Sequence, residues 1–213
     1  VTMEDLHDMP KQLYEGKITK LREKTQGQLV IKEYPTASAH SGHFKALMNE
    51  LALKKSFRPD VIFIDYLNIC ASSRFKGGNI SSYFYVKAIA EELRGLAVEF
   101  NVPIFSATQT TRTGYVSTDI GLEDTSESFG LPATADFMFA LISNEELEAL
   151  GQMKVKQLKN RYNDPSINRA FIIGVDRAKM RLYDVQQKAG EIVDANQVDE
   201  KEDAYNKFSD FKL

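Results

Sequence analysis

The sequence predicts an α/β protein: a mostly parallel sheet with helices between its strands, followed by a short set of antiparallel strands. Three observations carry this prediction. The runs at 61–66, 104–107 and 137–142 are short, unalternating and apolar, as strands covered on both faces are. Residues 83–100, between the first two runs, repeat Ile89, Leu93, Leu96, Ala97 and Phe100 on one stripe, with Glu91, Glu92, Arg94 and Glu99 mostly off it. A strand–helix–strand order implies a crossover and a parallel pairing. Beyond 152 the style changes to three successive strand patterns, 153–161, 169–175 and 181–186, the last two joined through Asp176-Arg177-Ala178-Lys179.

Taken in order, residues 3–24 carry Leu6, Leu13, Tyr14, Ile18 and Leu21 among many charges, a surface helix or helix pair interrupted at Pro10 and stopped at Gln26-Gly27. Leu29-Val30-Ile31 reads as a short strand ended by Tyr34-Pro35. Phe44, Leu47, Met48 and Leu51 recur at helical spacing over 41–55. Asn101-Val102-Pro103 terminates the helix at 83–100, and a long polar loop covers 110–128, a length that is usually functional. The expected organisation is an N-terminal helical segment (1–28), a core (29–189) and an acidic, flexible tail (190–213).

Composition sets bounds. With 43% hydrophobic and 27% charged residues, the chain has the make-up of an ordinary globular protein. No apolar stretch approaches the roughly 20 residues that span a bilayer. One cysteine, Cys70, permits no internal disulfide and suits a reducing cytoplasm. A first residue of valine reads as a fragment or a processed product. The net charge of −3 hides an asymmetry: the tail from Gly190 carries −4, leaving +1 for the rest, so any nucleic-acid contact has to come from local basic loops.

Chemistry gathers at the strand ends. Asp65 closes the run Val61-Ile62-Phe63-Ile64 and so arrives at the C-terminal edge of a parallel sheet, where ligands bind in open α/β folds. A hard oxygen there suits Mg²⁺ on a nucleotide phosphate, and equally caps the next segment. Gln109 ends the next strand, where its amide can both donate and accept, as a phosphate sensor or as a loop cap. Lys159 and Arg161, two apart on a strand, share a face at about 7 Å. Both cations could converge on one phosphate, or the face could simply be solvated. The pair His40-x-x-His43 has only one further histidine, His7, and one cysteine, Cys70, in the chain, so a metal site there is not expected.

The runs Ile64-Asp65-Tyr66-Leu67, Ala90-Glu91-Glu92-Leu93-Arg94-Gly95-Leu96-Ala97-Val98-Glu99, Asn101-Val102-Pro103 and Ser106-Ala107-Thr108-Gln109 together resemble the hexameric replicative DNA helicases of the DnaB family, in particular those of T-even-type phages. The resemblance continues through 127–136 and Lys156-Gln157-Leu158-Lys159-Asn160-Arg161, and it covers most of residues 29–186. It implies a RecA-like αβα sandwich that binds ATP and Mg²⁺. Asp65 matches the Walker B carboxylate that holds Mg²⁺ through water, and Gln109 the glutamine that couples the γ-phosphate to DNA-contacting loops. Lys159 and Arg161 match a pair that reaches the nucleotide of the neighbouring subunit. Two loops would then face single-stranded DNA in a ring, one with Arg74, Lys76, Gly77 and Gly78, the other from Arg112 to Tyr115. The family often has an arginine before its Glu-Ser pair, where this chain has Ser126, so Glu127 takes no role.

A G-x-x-x-x-G-K-[ST] phosphate loop is missing; Gly16-Lys17-Ile18-Thr19 has the wrong order. The resemblance therefore implies the C-terminal part of a motor whose first strand is absent, inactive alone. In the family that strand lies between those at 103–107 and 137–142, so here the two either pair directly or leave a gap. Implied partners are single-stranded DNA, a hexameric ring of copies, and a primase or helicase loader, in the cytoplasm of a bacterial host for a phage protein. Two other identities compete: a RecA-type recombinase ATPase, and a non-catalytic RecA-like module for DNA binding or oligomerisation. Tyr205, Phe208 and Phe211 recur at helical spacing in the tail, as a docking peptide would.

Overall fold

In the computed structural model, residues 1–75, 80–110, 120–124, 130–164, 167 and 169–185 are described. The elements run α1 (Met3–His7), α2 (Lys11–Lys24), α3 (Ser41–Lys55), β1 (Ile62–Ile64), a 3-10 turn (Leu67–Ile69), α4 (Ser82–Phe100), β2 (Ile104–Ser106), a 3-10 turn (Leu122–Asp124) and α5 (Gly130–Thr134). They continue with β3 (Phe137–Ile142), α6 (Glu145–Ala149), β4 (Gln152–Asn160), β5 (Ala170–Asp176), a 3-10 turn (Arg177–Lys179) and β6 (Arg181–Asp184). None of the described helices is long and apolar enough to cross a membrane.

Local chemistry sets the helix ends. Thr2 and Asp5 form a capping box at α1, and the chain breaks at Pro10 before α2, which buries no residue. The two histidines serve α3 in the same way. His40 Nδ1 accepts from the Gly42 N–H at 3.0 Å, and His43 Nδ1 accepts from the His40 N–H at 3.3 Å. At the end of α4, Asn101 takes a left-handed φ of 52° and returns its N–H to Ala97 and Val98, and Pro103 then prevents continuation.

Helix α4 organises the core because its stripe, Val86, Ile89, Ala90, Leu93 and Leu96, is buried throughout. Leu67, Cys70 and Leu131 join that stripe, with Phe44, Ile64 and Tyr85 packed around it. The helix is also the crossover between β1 and β2, which pair in parallel with Ile62 opposite Ile104 and Ile64 opposite Ser106. A separate antiparallel sheet follows in the order β3-β4-β5-β6, with a bulge at Met138/Phe139.

Among the described residues β2 and β3 do not pair, so of the two arrangements open from the sequence the structure adopts the gap. Among the described residues, parallel pairing is confined to β1–β2, and the other three ladders are antiparallel.

Two expectations are corrected. The segment 29–31 is not a strand: Leu29 and Ile31 are each 83% exposed, and so short a run forms no ladder without a neighbouring edge. Nor are the strands of the first sheet buried on both faces. Ile64 packs against the α4 stripe, while Phe63, 72% exposed, stacks on the exposed Phe105 at 5.3 Å between ring centroids. Strand β3 repeats this alternation, with Ala140 and Ile142 buried and Phe137, Phe139 and Leu141 exposed.

At the outer ladder Gly174 faces Tyr183, and a Cβ at 174 would run into the phenol ring. We expect Gly174→Ala to turn Tyr183 away from the Arg181 guanidinium it now meets at 5.5 Å. The loss should be about 1–2 kcal/mol, read as a lower urea midpoint.

Candidate active site

Asp65 follows β1 directly and is exposed at the C-terminal edge of the parallel pair. At the last paired residues Ser106 Oγ donates to the Ile64 carbonyl at 2.8 Å, and beyond the strands the Leu67 N–H donates to the Ala107 carbonyl at 3.1 Å. These bonds hold the two strand exits side by side. Gln109 lies on the second exit, and its Nε2 donates to the Tyr66 hydroxyl at 3.3 Å. Since Tyr66 is the residue after Asp65, one hydrogen bond links the carboxylate's strand end to the amide's. The sequence-expected Asp65 and Gln109 thus stand on adjacent strand exits at one edge.

The second expected pair lies in the other sheet. Lys159 is opposite Met138 on β4, and Arg161 follows the end of that strand. Both cations turn to the C-terminal end of α5. Lys159 Nζ donates to the Pro132 carbonyl at 2.6 Å, and Arg161 Nη2 to that of Ala133 at 3.4 Å. Carbonyls at a helix end carry partial negative charge, which suits them to cations. Partial burial and the neighbouring Arg161 charge hold the Lys159 ammonium below its ordinary range.

Asp136 ties this cluster together, and sequence reasoning missed it. One oxygen, Oδ1, takes Arg161 Nη1 at 2.9 Å and Arg94 Nη1, from α4, at 2.8 Å. Arg94 also reaches the Thr134 carbonyl at 2.6 Å. One carboxylate therefore faces two guanidiniums. Nothing in the sequence flags it, since Arg94 and Asp136 stand 42 residues apart.

Arg74 lies in the turn after the first 3-10 segment. Its guanidinium pairs with Glu91 at 2.6 Å, while its backbone is fixed by Glu92. The Glu92 carboxylate accepts from Ser72 Oγ at 2.6 Å, Ser73 Oγ at 2.7 Å, Ser41 Oγ at 2.7 Å and the Ser73 N–H at 3.0 Å. The Ser72 N–H donates to the Tyr85 hydroxyl at 3.1 Å. Burial alone would raise the Glu92 pKa, but the hydrogen bonds from Ser72, Ser73 and Ser41 outweigh it and hold it down to about 2, from an ordinary 4.5. A carboxylate with a depressed folded value contributes stability above its unfolded value and loses that contribution as pH falls. The difference in melting temperature between the parent and Glu92→Gln should therefore be full above pH 4.5 and shrink steadily as pH falls toward 2. Melts at pH 6 and pH 3 would check it.

Lys76, Gly77, Gly78, Arg112, Tyr115 and the tail from 190 lie outside the described residues. Among the described residues no group of three or more His, Cys, Asp or Glu side chains is placed to hold a metal ion.

No family model matches the chain. Over 97% of its length it is 40% identical to a DnaB-like replicative helicase of Enterobacteria phage T4, and it spans 45% of that relative. Two solved structures share the fold at 15% identity. One, described as an ATPase domain, matches 87% of this chain and 66% of its own, with a TM-score of 0.69. The other, a DnaB-like replicative helicase whose structure was described together with its interactions with primase, matches 87% of this chain and 46% of its own, also at 0.69. The fold is therefore RecA-like, as in these helicase ATPase domains.

Proposed function

The chain is kin to the DnaB-like replicative helicases, and on that premise we propose that it is the C-terminal part of an ATP-driven motor, residues 29–189, that translocates on single-stranded DNA and unwinds duplex at a replication fork. Its main support is the placement of Asp65 and Gln109 on adjacent strand exits, with Gln109 bonded to the hydroxyl of Tyr66, the residue after Asp65. Asp65 fits Mg²⁺ because it is an exposed hard-oxygen donor on a rigid strand end. When bound, the Mg²⁺ of the nucleotide supplies charge neutralisation on the phosphates.

The chain's own residues do the rest. Gln109 has an amide that can donate to a phosphate oxygen or accept from a water, and its link to Tyr66 ties that choice to the Asp65 strand. Lys159 and Arg161 lie on the other sheet, with side chains already gathered by Asp136 and the end of α5. From there they act on the nucleotide of a neighbouring copy, adding positive charge where the transition state develops negative charge. This role requires a ring of copies, a hexamer by kinship. Arg74, together with Lys76, Gly77, Gly78, Arg112 and Tyr115, contacts single-stranded DNA mainly through its phosphates. The primase named with the solved DnaB-like helicase supports a primase as partner, in the cytoplasm of a bacterial host. No G-x-x-x-x-G-K-[ST] run occurs in the chain, so this reading needs a phosphate loop supplied by a segment other than these residues.

The test is DNA-stimulated ATPase activity of this chain beside a version extended upstream through a phosphate loop. We expect activity only in the extended protein, lowered about a hundredfold by Asp65→Ala. Retained DNA binding with no turnover in either protein would favour the non-catalytic module instead.

A further inference from the structure

We propose that the adjacent carboxylates Glu91 and Glu92 of α4 set Arg74 for a DNA phosphate, Glu92 by fixing the backbone of the turn and Glu91 by holding the guanidinium until a phosphate replaces it. The proposal rests on the assignment of Arg74 to a DNA-contacting loop. The two acids are neighbours in sequence but do different work. Glu92 Oε1 takes the Ser72 hydroxyl and the N–H groups of Ser73 and Arg74, the last at 3.3 Å, and its Oε2 takes the hydroxyls of Ser41 and Ser73. Both oxygens are thus occupied by α3 and by three successive residues of the turn, which leaves little freedom at the Arg74 N–H. A carboxylate satisfied by that many donors acts as an anchor, with its charge spread into the protein.

Glu91 is placed differently. Its carboxylate meets Arg74 Nη1 at 2.6 Å and Lys87 Nζ at 3.9 Å, with side-chain exposures of 38% for Glu91 and 51% for Arg74. An ion pair this exposed is worth at most about 1 kcal/mol and breaks readily. The guanidinium is therefore extended and oriented without being locked away. A phosphate oxygen can take over from the Glu91 oxygen in the same charge-assisted, bidentate-capable geometry.

The experiment measures binding of this chain to fluorescein-labelled oligo(dT) by anisotropy at low salt, with a thermal melt of each variant. Removing any acidic side chain should favour DNA on charge alone, so opposite signs at 91 and 92 are diagnostic. We expect Arg74→Ala to weaken binding about tenfold and to lower the magnitude of the salt slope by about 0.7. Glu91→Gln should tighten binding about threefold, and that gain should vanish when Arg74 is already alanine. Glu92→Gln should weaken binding several-fold, and Arg74→Ala should add nothing further in that background. If Arg74→Ala has no effect, the DNA-loop assignment itself fails. If Arg74→Ala weakens binding but Glu92→Gln tightens it, or the Glu91→Gln gain survives without Arg74, the DNA-loop assignment stands and the role of the acids is overturned. Should Glu92→Gln not fold, the Glu91/Arg74 cycle still decides, because neither of those side chains is buried.

Discussion

Replacing Arg161 with alanine is expected to lower ATP turnover of the upstream-extended, ring-assembled protein by about a thousandfold, about 4 kcal/mol of transition-state stabilisation. The Michaelis constant for ATP should change little, because a cation acting on a neighbour's nucleotide contributes most where charge develops. Arg161→Lys should not rescue. The guanidinium uses Nη1 for Asp136 and Nη2 for the Ala133 carbonyl, a fork that an ammonium cannot reproduce. Stability should be nearly unchanged, since Asp136 keeps its bond to Arg94. Mixed rings provide a second check. An Asp65→Ala copy beside an Arg161→Ala copy places both defects at one interface and leaves the opposite interface intact, so mixing two inactive proteins should restore part of the turnover. No recovery on mixing would place Arg161 at its own subunit's nucleotide.

The second large effect is on stability. Ile89 is 1% exposed, at the centre of the stripe that α4 turns toward Leu67, Cys70 and Leu131. Truncation to alanine removes three carbons and leaves a cavity among these packed side chains. The expected loss is about 3–4 kcal/mol, a large share of the roughly 5–15 kcal/mol that holds a domain together. Urea unfolding should show a lower midpoint with an unchanged slope. Val98, on the same helix but 74% exposed, gives the contrast: Val98→Ala should stay within about 0.5 kcal/mol.

Which features were legible in the sequence follows from the range of the interactions that make them. Helix α4 was visible because its stripe and its Asn101-Val102-Pro103 stop are local, and the antiparallel strands because their turns lie within the same stretch. Asp65 and Gln109 were visible as polar residues at the ends of apolar runs, a pattern any parallel sheet imposes. The exposed face of Phe63 and Phe105 was not visible, because an unalternating run looks the same whether one face is covered or two. Leu29-Val30-Ile31 has strand composition, but composition cannot supply a neighbouring edge. The Glu92 anchor was hidden as well. On a helical wheel it is one more outward acid, and its donors are serines from 19 to 51 residues away.

One helix carries both anchors. Arg94 grips Asp136 beside Arg161, and Glu92, two residues earlier, grips the turn that holds Arg74. Two residues of helix rise only about 3 Å, with no compliant element between them. Helix α4 is therefore a stiff lever whose two loads are mounted at almost the same height, on opposite faces. A push on the Arg161 side that shifts the helix must carry the Ser72–Arg74 turn in the same stroke, as the two mounts cannot move independently.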